Sequence, residues 1–375
     1  MLFNVCALYI KIMNNENQTI HKSDDNLTIY GWNEKLNQLK QESIYSTLAH
    51  GRVSIVHRTC YEVISGNGLF QCELTGNMMY GKSDDELPCT GDWVIFQPFD
   101  EHKGIIVDRL PRERTLYRKK SGTVADKQAI ASYVDKAFIV QSLDDNFNVR
   151  RVERFMVQIM EENISSVLVL NKADLDFDRQ SVEEQIKHIS SQIPVFFTSI
   201  HQLETIVRLR KSISEGETVV FVGSSGVGKS SLVNALCEKP VLLTSDISLS
   251  TGKGRHTSTR REMVLMDSSG VLIDTPGVRE FGLAIDNPDS LAEVLEISDY
   301  AESCRFKDCK HINEPGCAVI EAVNSGALDS KVYASYLKLR REAWHFSASE
   351  HEKRKKEKSF TKLVEEVKNR KDASR

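Results

Sequence analysis

The sequence predicts three parts in series: an N-terminal OB-type β-barrel, a central α/β domain on a mostly parallel sheet, and a C-terminal, mostly helical domain around metal-ligating residues. Three observations carry this. Five short alternating segments between Arg52 and Leu110 are separated by turn residues. A strand, Gly-rich loop and helix follow one another from Val219 to Leu236, inside a stretch where apolar strands alternate with amphipathic helices. Cys304, Cys309, His311 and Cys317 fall within fourteen positions. A chain of 375 residues also exceeds what one compact core organises.

Composition is that of an ordinary folded protein, 40% hydrophobic and 27% charged. A net charge of −4 argues against the whole molecule acting as a nucleic-acid glove. The charge is unevenly placed, however. Lys103, Arg109, Arg112, Arg114, Arg118, Lys119 and Lys120 face only Asp108 and Glu113. The tail from His351 to Arg375 carries ten Lys/Arg against five Asp/Glu. Such patches suit a polyanionic partner or a solvated face. No run of 18 apolar residues is present, so no helical membrane span is expected. The apolar opening Met1 to Ile10 lacks a basic n-region and a cleavage site, which argues against a signal peptide and for a cytoplasmic protein.

Taken in order, residues 1–49 form a polar extension rich in Asn and Asp, with one helix expected in Gly31 to Leu48, and name no chemistry. Residues 50–112 supply the barrel, with strands at Arg52–His57, Cys60–Ser65, Leu69–Thr75, Asp92–Phe96 and Lys103–Leu110. An SH3-like barrel would give the same pattern. A basic connector leads into residues 113–286, where strands Ala137–Gln141, Ser166–Leu170 and Val195–Phe197 alternate with helices Arg150–Glu162, Ser181–Ser191 and Leu203–Ser214. Strands Met263–Met266 and Val271–Asp274 complete the sheet. Residues 287–350 carry helices at Ala318–Asn324 and Ser330–Phe346, and residues 351–375 are the basic tail.

The central stretch is Gly223-Ser224-Ser225-Gly226-Val227-Gly228-Lys229-Ser230-Ser231. Its glycines free the backbone to turn successive N–H groups toward a phosphate. Lys229 reaches the β/γ-phosphates, Ser230 offers a hydroxyl to Mg²⁺, and the helix N-terminus adds its dipole. A strand then ends at Asn171-Lys172-Ala173-Asp174, where open α/β sheets place ligand contacts. A carboxylate there accepts the N1–H and N2–H₂ pair of guanine, which adenine lacks. Thr198-Ser199 closes the next strand, and Ser199 joins the expected nucleotide contacts. Asp274-Thr275-Pro276-Gly277 suits a carboxylate holding Mg²⁺ through water, with the Gly277 N–H facing the γ-phosphate. The polar loop from Thr251 to Thr259 is either a plain disordered loop or a switch whose Thr257 supplies a second Mg²⁺ ligand.

In ordinary GTPases the phosphate loop precedes the base-recognition motif; here Asn171–Asp174 comes first and Asp274 last, so only a circularly permuted sheet gives one nucleotide site. The chain thereby resembles the circularly permuted, ribosome small-subunit-dependent GTPase family (the RsgA/YjeQ group). The matching segments are Gly91-Asp92-Trp93-Val94, Asn171 to Asp174, Gly223 to Ser231, Gly254-Arg255-His256-Thr257-Ser258-Thr259 and Asp274 to Phe281. Lys127-Gln128 departs from the family's usual Glu-Gln, and residues 1–49 lie outside the match. The resemblance implies GTP hydrolysis during late maturation of the small ribosomal subunit, contact with its rRNA, and a monomer with no membrane partner.

Three thiolates and an imidazole suit one structural Zn²⁺ held tetrahedrally by Cys304, Cys309, His311 and Cys317. The resemblance implies the same four ligands. Position 278 is Val, where Ras-like enzymes carry the water-orienting Gln, so slow intrinsic hydrolysis is expected. His256 is the preferred catalytic substitute, with Lys229 and Thr257 beside it; Arg279 is the weaker alternative. A P-loop ATPase or kinase, and a non-enzymatic RNA-assembly factor, stand as other readings.

Overall fold

The computed structural model describes residues 24–80, 83, 85–119, 127–238, 262–267, 270–274 and 288–347. The barrel strands are β1 (Ala49–Val56), β2 (Tyr61–Ser65), β3 (Gly68–Leu74), β4 (Trp93–Asp100) and β5 (Lys103–Arg109); burial alternates in β2, β3 and β5, whereas β1 and β4 each carry a continuous buried run. β2 shows the pattern best: Tyr61, Val63 and Ser65 are buried and the residues between them are not. β1 pairs antiparallel with β2 and β4, β2 with β3, and β4 with β5, while β3 and β5 pair in parallel. The ring 1-2-3-5-4-1 closes the sheet on itself, which is OB topology and decides against the SH3-like alternative. Helix α1 (Glu34–Glu42) precedes the barrel and α2 (Gly76–Met79) bridges β3 and β4.

The segment before the barrel is part of the fold. A 3₁₀ turn (Asp24–Tyr30) and α1, capped by Asn33, bury Leu27, Trp32 and Leu36 against Trp93, Ile95 and Tyr133. The basic connector is also more structured than its composition suggests. Leu116–Lys119 (β6) and Lys127–Ala131 (β7) form an antiparallel hairpin whose Leu116, Ala129, Ile130 and Ala131 are buried. The sequence reading missed it because basic residues crowd β6 and dominate its composition.

The central sheet comprises β8 (Lys136–Ser142), β9 (Ser165–Asn171), β10 (Val195–Thr198), β11 (Thr218–Val222), β12 (Glu262–Leu265) and β13 (Val271–Asp274), in the order β10-β9-β8-β11-β13-β12. All neighbours are parallel except β12 and β13. The inner strands are continuous apolar runs because helices cover both faces. Those helices are α3 (Val149–Glu161), α4 (Arg179–Gln185), α5 (Lys187–Ser190), α6 (Leu203–Lys211) and α7 (Lys229–Leu236). Among the described residues, the bridge between Ile55 and Glu262 joins the barrel edge to this sheet.

The C-terminal part contains α8 (Pro288–Val294), α9 (Ser298–Ala301), α10 (Ala318–Ser325) and α11 (Ser330–Ser347). Leu291, Val294, Val319 and Leu339 share one apolar core with Val152, Phe155 and Met156 of α3. None of the described helices is long and apolar enough to cross a membrane.

Candidate nucleotide site and metal centre

β11 ends in the phosphate loop, and α7 begins at Lys229 with Gly228 as its N-cap. Gly223, Gly226 and Gly228 have φ of +151°, +82° and +92°, which favour a residue without Cβ. Two of them are also pinned by neighbours. A Cβ on Gly223 would stand 2.4 Å from the Val140 carbonyl, and one on Gly228 2.3 Å from Nδ2 of Asn171. Lys229 Nζ donates to the carbonyls of Gly223 (2.8 Å) and Ser224 (2.7 Å), so its ammonium lies inside the curl of the loop. Ser225 is exposed, Ser230 and Ser231 are half-buried, and Val227 anchors the loop as a fully buried side chain.

The loop after β9 is tied directly to this one. Asn171, 3% exposed, donates from Nδ2 to the Val227 carbonyl (2.9 Å), and its Oδ1 accepts from Thr198 Oγ1 (3.3 Å). The loop after β9 and the Gly-rich loop, 52 positions apart (Asn171 and Gly223), thus meet at one side chain. Ala173 N–H donates to the Thr198 carbonyl at 2.9 Å, and Lys172 sits at φ +60°. That turn leaves Asp174 exposed at the mouth, where a hydrogen bond from Ser199 holds its carboxyl below the usual range. An exposed acceptor pair beside a phosphate cradle can take a purine that donates from N1 and N2.

Two residues absent from the sequence reading border the site. Asp144 follows β8 and grips Lys172 Nζ at 2.8 Å, accepting also from Ser142 Oγ (2.7 Å) and Asn146 N–H (3.0 Å). Burial pushes its carboxyl up, but these donors outweigh it and hold the group at about 2. Arg151, in the first turn of α3, reaches Ser224 Oγ from outside the loop. The position of Asp144 at a strand's C-terminal end was the available signal for it; two arginines opening a helix were the signal for Arg151. Asp274 closes β13 and is buried. His256, Thr257, Gly277, Val278 and Arg279 lie outside the described residues, as do the basic tail and residues 1–23.

The structure brings the four expected metal ligands together, their donor atoms all within 4.8 Å. Nδ1 of His311 lies 3.5 Å from both Cys304 Sγ and Cys317 Sγ, and the two sulfurs are 3.9 Å apart. A tetrahedral ion with Zn–S near 2.3 Å and Zn–N near 2.05 Å requires edges of about 3.8 Å (S–S) and about 3.5 Å (S–N). The set therefore fits zinc. His311 takes φ +53°, and Glu314 clamps its loop by accepting from the N–H groups of Lys310 (3.1 Å), Ile312 (2.9 Å) and Asn313 (3.1 Å). Those bonds, led by Ile312, hold the exposed Glu314 carboxyl at about 2. Tyr333 of α11 donates to the His311 carbonyl at 2.6 Å and docks the loop on that helix.

Gly91 and Arg52 stand at the junction of barrel and sheet. Gly91 sits at φ +96°, where a Cβ would stand 2.4 Å from the Ser132 carbonyl. Its own carbonyl accepts from Nε of Arg52 at 3.0 Å. Arg52 is 1% exposed and also donates to Thr218 Oγ1 (2.8 Å), to the Tyr133 carbonyl (3.3 Å) and to the Tyr30 carbonyl, with its guanidinium 5.5 Å from the Trp93 ring. Burial pulls it down to about 10, so it stays charged at neutral pH. Asp92 holds Arg112 through both carboxylate oxygens at 2.6–3.1 Å.

A mostly parallel sheet with the Gly-rich loop on its third strand from one edge, and the Asn171–Asp174 turn earlier in the chain, has the architecture of a circularly permuted P-loop nucleotide hydrolase. A family model described as RsgA GTPase matches residues 109–284. The chain is 76% identical over 359 residues to the small ribosomal subunit biogenesis GTPase RsgA 1 of Bacteroides thetaiotaomicron, covering 96% of this chain and 99% of that protein. It is 35% identical to the RsgA of Leptospira interrogans, over 90% of this chain and 96% of that one. It belongs to the RsgA family and is a GTPase. Among solved structures, YjeQ from Thermotoga maritima superposes with a TM-score of 0.59 at 26% identity, over 79% of this chain and 98% of that one. YloQ, a circularly permuted GTPase, shares the fold with a TM-score of 0.58 at 22% identity, over 80% and 97% of the two chains. An ABC transporter model also matches residues 206–369; it spans the phosphate loop but not Asn171–Asp174.

Proposed function

We propose that this GTPase acts on the small ribosomal subunit during its late maturation, as a cytoplasmic monomer touching rRNA, and that the subunit stimulates its hydrolysis. The observation that carries the reading is the near full-length 76% identity to a protein named for small-subunit biogenesis. In this reading the backbone N–H groups from Gly223 to Gly228 cradle the phosphates and Lys229 neutralises the β/γ oxygens. Ser224, Ser225, Val227 and Ser231 complete the nucleotide contacts. Asp174, steadied by Ser199, accepts from guanine, while Lys172 and Ala173 flank the base and Asn171 locks the two loops. Ser230 and Thr257 would hold Mg²⁺ directly and Asp274 through water, the ion supplying charge neutralisation at the phosphates, and the Gly277 N–H would meet the γ-phosphate. Cys304, Cys309, His311 and Cys317 hold one structural Zn²⁺.

Val278 can neither donate to nor accept from an attacking water, so His256 is assigned that role. Ordering its Gly-rich loop costs roughly 1–2 kcal/mol per residue, which contacts to a bound subunit offset. The test is single-turnover GTP hydrolysis by wild type and His256→Ala, each with and without purified small subunits. Strong stimulation of wild type alone is expected. Equal stimulation of both removes His256 from the mechanism, and stimulation of neither overturns the subunit-activated reading. Asp174→Asn should shift binding from GTP toward xanthosine triphosphate, because an amide donates where a carboxylate only accepts; unchanged GTP affinity would remove Asp174 from base recognition.

A further inference from the structure

Helix α3 opens with Val149-Arg150-Arg151 and has no acidic residue in its first turn. Cations are disfavoured at a helix N-terminus, by about 0.3–1 kcal/mol each, so helix stability does not account for the pair. Arg151 does not turn away from the protein. Its Nη1 lies 3.2 Å from the Ser224 hydroxyl oxygen and 3.2 Å from the Asn146 carbonyl. Both acceptors are neutral, and both bonds are long for a guanidinium, whose contacts with anions close to about 2.7–2.9 Å. Among the described residues Arg151 forms no ion pair, and the rest of its guanidinium makes no hydrogen bond.

A second cation meets the same residue. Lys229 Nζ is 2.7 Å from the Ser224 carbonyl, at the end of the loop that takes the β/γ-phosphates. The base end of the site lies elsewhere, with Lys172 and Asp174. Two cations therefore meet Ser224, Arg151 at its hydroxyl and Lys229 at its carbonyl, in a loop whose glycines turn N–H groups toward an anion. Arg151 has a planar fork of donors, the geometry that grips a phosphate through two oxygens.

We propose that Arg151 is a phosphate-binding residue that reads the terminal phosphate of GTP. On nucleotide binding its guanidinium exchanges Ser224 Oγ and the Asn146 carbonyl for γ-phosphate oxygens, and in the diphosphate state it returns to them. The inference rests on the reading of this loop as the GTP site. Because the γ-phosphate carries the charge that GDP lacks, Arg151 favours the triphosphate.

The experiment is equilibrium titration of the full chain, with Mg²⁺, using fluorescent GDP and a fluorescent non-hydrolysable GTP analogue. Arg151→Gln should raise the Kd for the analogue about tenfold, equivalent to ~1.4 kcal/mol, and leave that for GDP within about twofold. Arg151→Lys, which keeps the charge but loses the fork, should fall between wild type and Arg151→Gln for the analogue alone; it carries the test if Arg151→Gln does not fold. Equal weakening of both nucleotides, or no change in either, would make Arg151 a brace for the Asn146 turn and overturn the inference. Normal binding of both with lost stimulation by small subunits would assign Arg151 to RNA and overturn it too. A wild-type chain that binds neither nucleotide would instead sink the GTP reading of the loop.

Discussion

The barrel meets the central sheet through a buried arginine beside apolar contacts, whereas the C-terminal domain shares its apolar core with that sheet and adds one buried carboxylate and an ion pair at the rim. The barrel keeps a core of its own, built on Val53, Val63, Phe70 and Phe96, and meets its neighbours through Arg52 and through Trp93 and Ile95 packed on Leu27, Trp32 and Tyr133, while the Asp92–Arg112 pair closes the barrel on itself. The paired side chains are 0% and 8% exposed. At the other joint, Leu291, Val294 and Leu339 merge with the α3 face of the main core. There the Arg154–Glu342 pair is 33% and 36% exposed. Only Glu153 is deeply buried, bridging His188 at 3.0 Å and Ser335 of α11. Apolar contact is non-directional and tolerates sliding; a buried guanidinium accepts very few arrangements of its partners. A directional guanidinium thus helps to set the orientation of the barrel, whereas apolar contact dominates at the C-terminal joint.

Three perturbations bear on this contrast. The largest effect is expected from Asp92→Ala, which strands the Arg112 guanidinium and frees the Cys89 N–H that Asp92 accepts at 2.7 Å. A loss of about 3–5 kcal/mol is expected in denaturant unfolding, because the guanidinium is left buried without its carboxylate. A loss below about 1 kcal/mol would show that the backbone carbonyls around Arg112 suffice. Next comes the metal centre. Cys309→Ser, or chelation of the wild type, should expose residues 304–317 to proteolysis while nucleotide affinity is retained, because α8 and α11 stay packed on α3. A metal-free chain with a protease-resistant C-terminal domain would contradict the zinc assignment. The smallest effect belongs to the rim. A double-mutant cycle on Arg154 and Glu342 should return a coupling of about 0.2–1 kcal/mol that fades with salt. A salt-insensitive coupling above that range would mean the second joint also rests on desolvated charge.

Pattern-borne features were legible in the sequence. The strand, Gly-rich loop and helix around Gly223, the Asn171–Asp174 turn and the Cys304–Cys317 set are local, and each combination of residue types has few other uses. The five barrel strands were legible as alternations, yet their ring closure depended on pairings that alternation does not encode. Single charged residues in apolar surroundings were not legible. Arg52 finds Thr218 166 positions away, and Glu153 finds Ser335 182 positions away. Nothing near either residue announces its partner. The β6–β7 hairpin was hidden for a compositional reason, since Arg118 and Lys119 outweigh its short buried side. Trp32 and Leu36 were visible as apolar positions, but not their packing against Trp93.

The inverted order of the loops has a consequence for how the protein is made. A chain emerges from its N-terminus, so β8, β9 and β10 can pair with one another as soon as Thr198 has been synthesised. At that stage Asn171 has no Val227 carbonyl to hold, and the edge of β8 that faces β11 is open. The strand carrying the phosphate loop then enters at that edge, followed by β13 on its far side. In an unpermuted GTPase the phosphate cradle is the first strand and waits for the rest. Here it is inserted into a half-built sheet, and every nascent chain shorter than Asp274 lacks a complete pocket. The permutation therefore makes the phosphate cradle and Asp274, rather than the Asn171–Asp174 turn, the parts of the pocket that the growing chain supplies last.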